Sequence, residues 1–213
     1  MITPLVRLII AGAGILVSGS AVAFFKDELY VLFKGKRFAI LGAKATGKTT
    51  LHNFLTNGEL TGGTGIEKTK SHSFKLKDLK FHIRKGKDIT GSEDFVIEWK
   101  KIISSCNYTF YMIDSERVYK NDFEYMELIE NHLSIIGNYY EESSRKDKVN
   151  IVCAFGDKTA DFTDNKNKFE KAIKDRLGNA LNYVDCQVFV GSLKTVEHKQ
   201  NLVYTILETI KSN

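Results

Sequence analysis

The stretch Gly42-Ala43-Lys44-Ala45-Thr46-Gly47-Lys48-Thr49 constrains this chain more than any other. It fits the pattern G-x-x-x-x-G-K-T. It follows the apolar run Phe38-Ala39-Ile40-Leu41 and precedes apolar-periodic sequence that starts at Leu51. A strand, a glycine-rich turn and a helix in that order aim successive backbone N–H groups and a helix N-terminus at one spot, which makes a cradle for polyphosphate. Lys48 is expected to reach the β- and γ-phosphates, and the hydroxyl of Thr49 to ligate Mg²⁺. The competing reading, a plain glycine-rich turn between strand and helix, leaves the Gly-Lys-Thr run without a purpose.

The chain has 213 residues, of which 43% are hydrophobic and 27% charged, enough for one α/β domain with a full core. Its net charge of +5 comes from scattered lysines rather than a basic stripe interleaved with aromatics, so no direct nucleic-acid partner is expected. Cys106, Cys153 and Cys186 are widely spaced and form no C-x-x-C pair, which argues for reduced thiols rather than a disulfide or metal framework. The five histidines lack metal-pair spacing.

Leu8 to Phe25 is an uncharged run bracketed by Arg7 and Lys26. At about 1.5 Å per residue it is near the short limit for a membrane-spanning helix. Gly14 and Ser18 form a small-x-x-x-small pair that lets helices approach closely in lipid. The reading favoured is a single transmembrane anchor over residues 5–26; a cleaved signal peptide and a buried or interfacial helix are the alternatives. Lys26, Lys34, Lys36 and Arg37 outweigh Arg7, so the positive-inside rule places the following domain in the cytosol.

From residue 35 onward the pattern alternates between strand and helix. Strands are expected at Arg37–Leu41, Thr109–Ile113, Val149–Phe155 and Gln187–Val190, with Ser71–Leu76 and Leu79–Arg84 read as an antiparallel pair. Helices are expected at Thr49–Leu55, Asp94–Ile103, Asp122–Ile136, Phe169–Leu181 and Val196–Ile210, with Trp99, Phe123 and Phe169 on core-facing stripes. The expected fold class is α/β, a six-stranded, mostly parallel sheet with helices on both faces.

This motif order resembles the Ras-like small GTPases, in layout most like the Arf/Sar branch and the membrane-anchored beta subunit of the signal recognition particle receptor. The resemblance covers residues 35–213 and implies a P-loop NTPase G domain. Thr50 continues the loop as Gly-Lys-Thr-Thr, as in the Arf branch. Thr64, in Gly63-Thr64-Gly65-Ile66, resembles the switch-one threonine that ligates Mg²⁺. Asp88-Ile89-Thr90-Gly91 fits the switch-two pattern D-x-x-G, in which Asp88 would hold the Mg²⁺ shell and Gly91 would meet the γ-phosphate. Ser92 stands where many relatives carry the glutamine that positions water.

Asp157-Lys158-Thr159-Ala160-Asp161 stands in the place of the guanine motif N-K-x-D. Lys158 matches the lysine whose stem packs on the base. Asp157 replaces the usual asparagine, Ala160 takes the place of the acid, and Asp161 comes one residue late as the candidate base reader. Ser192, Leu193 and Lys194 resemble the S-A-K loop that meets the guanine O6. Lys44 is a departure inside the phosphate loop, aimed either at phosphate charge or at solvent.

The implied protein is a membrane-tethered GTP/GDP- and Mg²⁺-binding switch with slow intrinsic hydrolysis. Lys48, Thr64 and Gly91 would act on the transferring group, and Thr49, Thr64 and Asp88 would surround the metal. The N-terminal helix would contact membrane lipid, and a protein partner, a receptor subunit or a regulator, would read the switch loops. A non-hydrolysing, GTP-bound receptor subunit or scaffold is the alternative.

Overall fold

The computed structural model describes residues 30–61, 73–76, 82–85 and 93–212. The expected anchor over residues 5–26, Thr64, and the segment with Asp88, Gly91 and Ser92 lie outside them. Among the described residues no helix is long and apolar enough to cross a membrane.

Five strands form one sheet in the order β4-β1-β5-β6-β7: β1 Arg37–Gly42, β4 His82–Lys85, β5 Tyr108–Asp114, β6 Val149–Ala154 and β7 Cys186–Val190. Every neighbouring pair is parallel. β5 and β6 are covered on both faces and read accordingly as nearly continuous apolar runs. The first long helix is α1 (Lys48–Asn57); α2 (Glu93–Ser104) and the short α3 (Ser115–Tyr119) follow. Beyond them come α4 (Phe123–Glu142), α5 (Ala160–Asp164), α6 (Lys166–Leu181) and α7 (Val196–Lys211). One face of the sheet packs Trp99, Ile129, Leu133, Phe169 and Ile173 from α2, α4 and α6. The other packs Leu51 and Phe54 from α1 with Leu202, Val203 and Ile206 from α7.

The strand pairing departs from expectation. The region read as one hairpin is split: β3 (Ser73–Lys75) pairs antiparallel with a three-residue strand, β2 (Glu59–Thr61), that no alternation announced. β4 instead lies parallel to β1, with Arg37 opposite His82 and Ile40 opposite Lys85. Alternation reports a half-buried strand but not its partner, which is a non-local choice. The described strands are therefore five in one sheet and two in a separate pair, rather than six in one.

Two smaller corrections concern α4. Phe123 was expected on the core stripe but is 88% exposed, because it opens the helix's first turn ahead of Tyr125 and Ile129, which are buried. The helix also runs past Ile136 to Glu142, with Tyr140 buried in the added turn. Gly137 permits this: a Cβ there would lie 2.0 Å from the carbonyl oxygen of Tyr183, so only glycine lets the helix approach that backbone. Trp99 and Phe169 are core residues as expected.

Candidate nucleotide site

The phosphate loop is shaped by backbone that few residues adopt. Gly42 has φ 135°, and a Cβ on it would lie 2.4 Å from the carbonyl oxygen of Met112 on β5. Ala45 (φ 61°) and Gly47 (φ 89°) complete the turn into α1. No side chain caps α1 at its N-terminus, which is the end that follows directly from the loop. Lys48 is 3% exposed and donates to the carbonyl oxygens of Gly42 at 2.9 Å and Ala43 at 2.5 Å. Thr46 closes the turn by donating to Ala43 O at 2.9 Å. A cavity of about 260 Å³ opens here, lined by Ala45, Thr46, Gly47, Lys48, Thr49 and Thr50 together with Phe155.

These residues fit a nucleoside polyphosphate with Mg²⁺. Backbone amides and an ammonium suit phosphate oxygens, and the hydroxyls of Thr49 and Thr50 supply the hard oxygen donors that Mg²⁺ takes. Lys44 is exposed and lies outside the cavity lining.

The loops expected to meet the base follow the C-terminal ends of β6 and β7. Gly156 N–H donates to Gly191 O at 3.0 Å and Gly191 N–H to Cys153 O at 2.9 Å, which locks the two loops together. Ser192, 2% exposed, donates its hydroxyl to Asp157 Oδ1 and accepts from the Lys194 amide at 3.1 Å. The Lys194 ammonium lies 3.9 Å from the second Asp157 oxygen. Leu193 is buried, its Cδ1 only 3.1 Å from where a Gly47 Cβ would stand, so the Ser192–Lys194 loop rests directly on the phosphate loop.

Helix α3 holds two further residues of this region. Asp114, at the end of β5, caps α3 by accepting from the amides of Glu116 and Arg117, and Ser115 donates to Ala154 O at the end of β6. In the first turn of α3, Glu116 lies 3.3 Å from the Lys158 ammonium and 2.7 Å from Lys120. Hydrogen bonding to Lys120 and, less strongly, to Lys158 keeps its carboxyl below the usual range. Tyr119 donates to the carboxylate of Asp161, and that bond raises the phenol's pKa.

The structure thus brings the phosphate-loop residues, Ser192, Leu193 and Lys194 into one cluster, with Lys158 against the ring of Phe155 at 4.2 Å. It places Asp161 on Tyr119, and it places Asp157, not Asp161, beside Ser192 and Lys194. The sequence reading missed Phe155, Glu116 and Tyr119. Phe155 reads as the last apolar residue of a strand, and only its backbone, at φ 64°, sets it apart. Among the described residues no cluster of histidine, cysteine, aspartate and glutamate is disposed to hold a metal.

The profile of the ADP-ribosylation factor family matches residues 25–189. The small COPII coat GTPase of Encephalitozoon cuniculi, solved with GDP, is similar in fold, with a TM-score of 0.56 at 13% identity over 89% of this chain and 85% of that one. A GTP-binding protein from Sulfolobus solfataricus, also with GDP, reaches a TM-score of 0.48 at 12% identity, over 90% of this chain and 58% of that one. The Arl6 small GTPase of Trypanosoma brucei, with a bound nucleotide analogue, reaches 0.47 at 14% identity, over 83% of this chain and 97% of that one. No curated protein sequence matches the chain. With a preformed phosphate cradle and a family profile spanning most of its length, the chain belongs to the ADP-ribosylation factor family and so takes GTP or GDP with Mg²⁺.

Proposed function

We propose that this protein is a membrane-tethered, cytosol-facing GTP switch that hydrolyses its nucleotide slowly. The observation that carries the reading is the buried Lys48 held over the phosphate loop by Gly42 O and Ala43 O, beside an uncapped helix N-terminus. The amides of Ala45 to Thr50 and Lys48 bind and orient the β- and γ-phosphates. Thr49, Thr64 and Asp88 are the metal ligands, and Gly91 meets the γ-phosphate. Mg²⁺, when bound, neutralises charge on the phosphate oxygens. Lys158 and the Ser192–Lys194 loop bound the base, and a carboxylate, Asp157 or Asp161, reads its edge.

Two features of the sequence support the rest. Ser92 follows Gly91, so no glutamine is in place to orient water, and turnover without a partner is slow. The uncharged run of residues 8–25 supports a membrane anchor, with lipid as one partner and a protein reading the segments around Thr64 and Gly91 as the other. The same Ser92 favours a second reading, in which a receptor subunit or scaffold keeps GTP as a structural ligand.

The test is calorimetric binding of GTP, GDP and ATP with Mg²⁺, followed by phosphate release over many turnovers. Guanine preference with slow release supports the switch, and guanine binding without release supports the scaffold. Preference for ATP, or no binding, overturns both. Flotation of the full chain with liposomes, lost on deleting residues 5–26, tests the tether.

A further inference from the structure

Phe155 is a non-glycine residue with a left-handed backbone, φ 64°, at the point where β6 gives way to the base-side turn. Such conformations persist where the surroundings over-determine them, and they gather at ligand sites. Its neighbours show what is held. The ring lines the phosphate-loop cavity, and its Cζ is 3.7 Å from where a Gly47 Cβ would stand. The ring is half-buried: it packs against the core that holds Leu51 and Leu202, and the Lys158 ammonium, paired with Glu116, rests 4.2 Å from its centroid, where a ligand would take the cation's place. Two residues further on, the Asp157 carboxylate is fixed by Ser192 and Lys194.

A nucleotide with its phosphates on Ala45 to Thr50 and its base edge toward Asp157 passes Phe155 on the way. We infer that Phe155 is a stacking platform for the nucleobase, the residue that turns phosphate binding into nucleoside binding in this chain. The inference rests on the nucleotide-site reading above and deepens it. An aromatic face takes any base, since every base has a π-face. Affinity for the nucleoside part is then divided: stacking on Phe155 supplies strength, and the polar groups at the base edge supply choice among bases.

The test compares GDP with inorganic tripolyphosphate, each with Mg²⁺, on the full chain in detergent. Phe155→Ala is expected to weaken GDP roughly tenfold or more while leaving tripolyphosphate within about twofold. Phe155→Tyr keeps the ring and is expected to keep GDP affinity. Phe155→Trp supplies a second readout: its indole emission should fall on adding GDP and stay unchanged with tripolyphosphate, against the background of Trp99, which is buried. A folded Phe155→Ala protein that binds GDP as the parent does overturns the inference, as does equal loss of both ligands. A parent that binds tripolyphosphate but not GDP overturns it together with the base-side reading. A parent that binds neither removes the phosphate-loop reading as well.

Discussion

Asp157 and Ser192 are hydrogen-bonded side chain to side chain across the C-terminal ends of two neighbouring parallel strands. The bond holds one carboxylate oxygen and leaves the other within 3.9 Å of Lys194. This is a fixed acceptor beside the loop expected to touch the base. Asp157→Asn, which keeps the shape and removes the charge, is expected to lower GTP affinity by about 10- to 100-fold and to shrink the preference over ATP. Asp161→Asn is expected to change it by less than about threefold. Titration of both variants with GTP, ATP and tripolyphosphate decides. The reverse ranking would return the base edge to Asp161.

Tyr119 and Asp161 make the complementary case. Removing the hydroxyl in Tyr119→Phe frees the Asp161 carboxylate without touching the phosphate loop. If Asp161 is a structural acceptor only, nucleotide affinity and base preference stay where they were. A gain in guanine preference on freeing it would show that Tyr119 competes with the base for this carboxylate.

Lys48→Ala removes a cation that two carbonyls hold over the cradle. Charge-assisted hydrogen bonds of this kind contribute about 1.5–3 kcal/mol each. GTP and GDP affinity should therefore drop by roughly two orders of magnitude or more, with the far-ultraviolet circular dichroism spectrum unchanged. Retained affinity in a folded variant would refute the loop's role.

Arg145 sits at the opposite end of the sheet. It donates to the carbonyl oxygens of Ile103, Cys106 and Asn107 and pairs with Asp147 at 2.6 Å. Truncation in Arg145→Ala removes the guanidinium donors from Ile103 O in the last turn of α2 and from Cys106 O and Asn107 O just beyond it, at a cost of about 2–4 kcal/mol. The thermal midpoint should fall by roughly 5–10 °C. Nucleotide affinity should not move, because the site lies at the other end of the strands.

His132 gives stability a pH dependence. Burial first, and the charge of Lys48 second, lower its pKa from 6.5 to about 4. Above pH 6.5 the ring is neutral in both folded and unfolded chains and contributes nothing. As pH falls from 6.5 toward 4 the unfolded chain gains a proton that the folded one refuses, so stability declines, in total by on the order of 3 kcal/mol. Urea unfolding at several pH values should show this slope, and His132→Gln should flatten it. An unchanged slope would mean other groups govern the window.

The legible parts of this molecule were those governed by local pattern. Gly42 to Thr49, the apolar strands β1, β5 and β6, and helices α6 and α7 with their four-residue apolar spacing all follow from short stretches of sequence. What escaped notice depends on distant partners. β4 took the open edge of β1, and no residue within His82–Lys85 announces that choice. The helix expected to end at Ile136 runs on through Gly137, whose fit depends on the backbone of Tyr183, 46 positions further along. Asp157 and Asp161 are equally plausible acids on paper. Only the placing of Ser192 and Tyr119 assigns each its neighbour.

Lys48 is buried by the fold itself, so its ammonium sits among protein oxygens rather than in bulk water. Gly42 O and Ala43 O stand in for the oxygens a phosphate would bring. Capture of a nucleotide is then an exchange of one oxygen ring for another, with no hydrated cation to strip. The consequence is kinetic: association is expected to be limited by encounter, and the residence time by how readily the loop's own carbonyls reclaim the lysine.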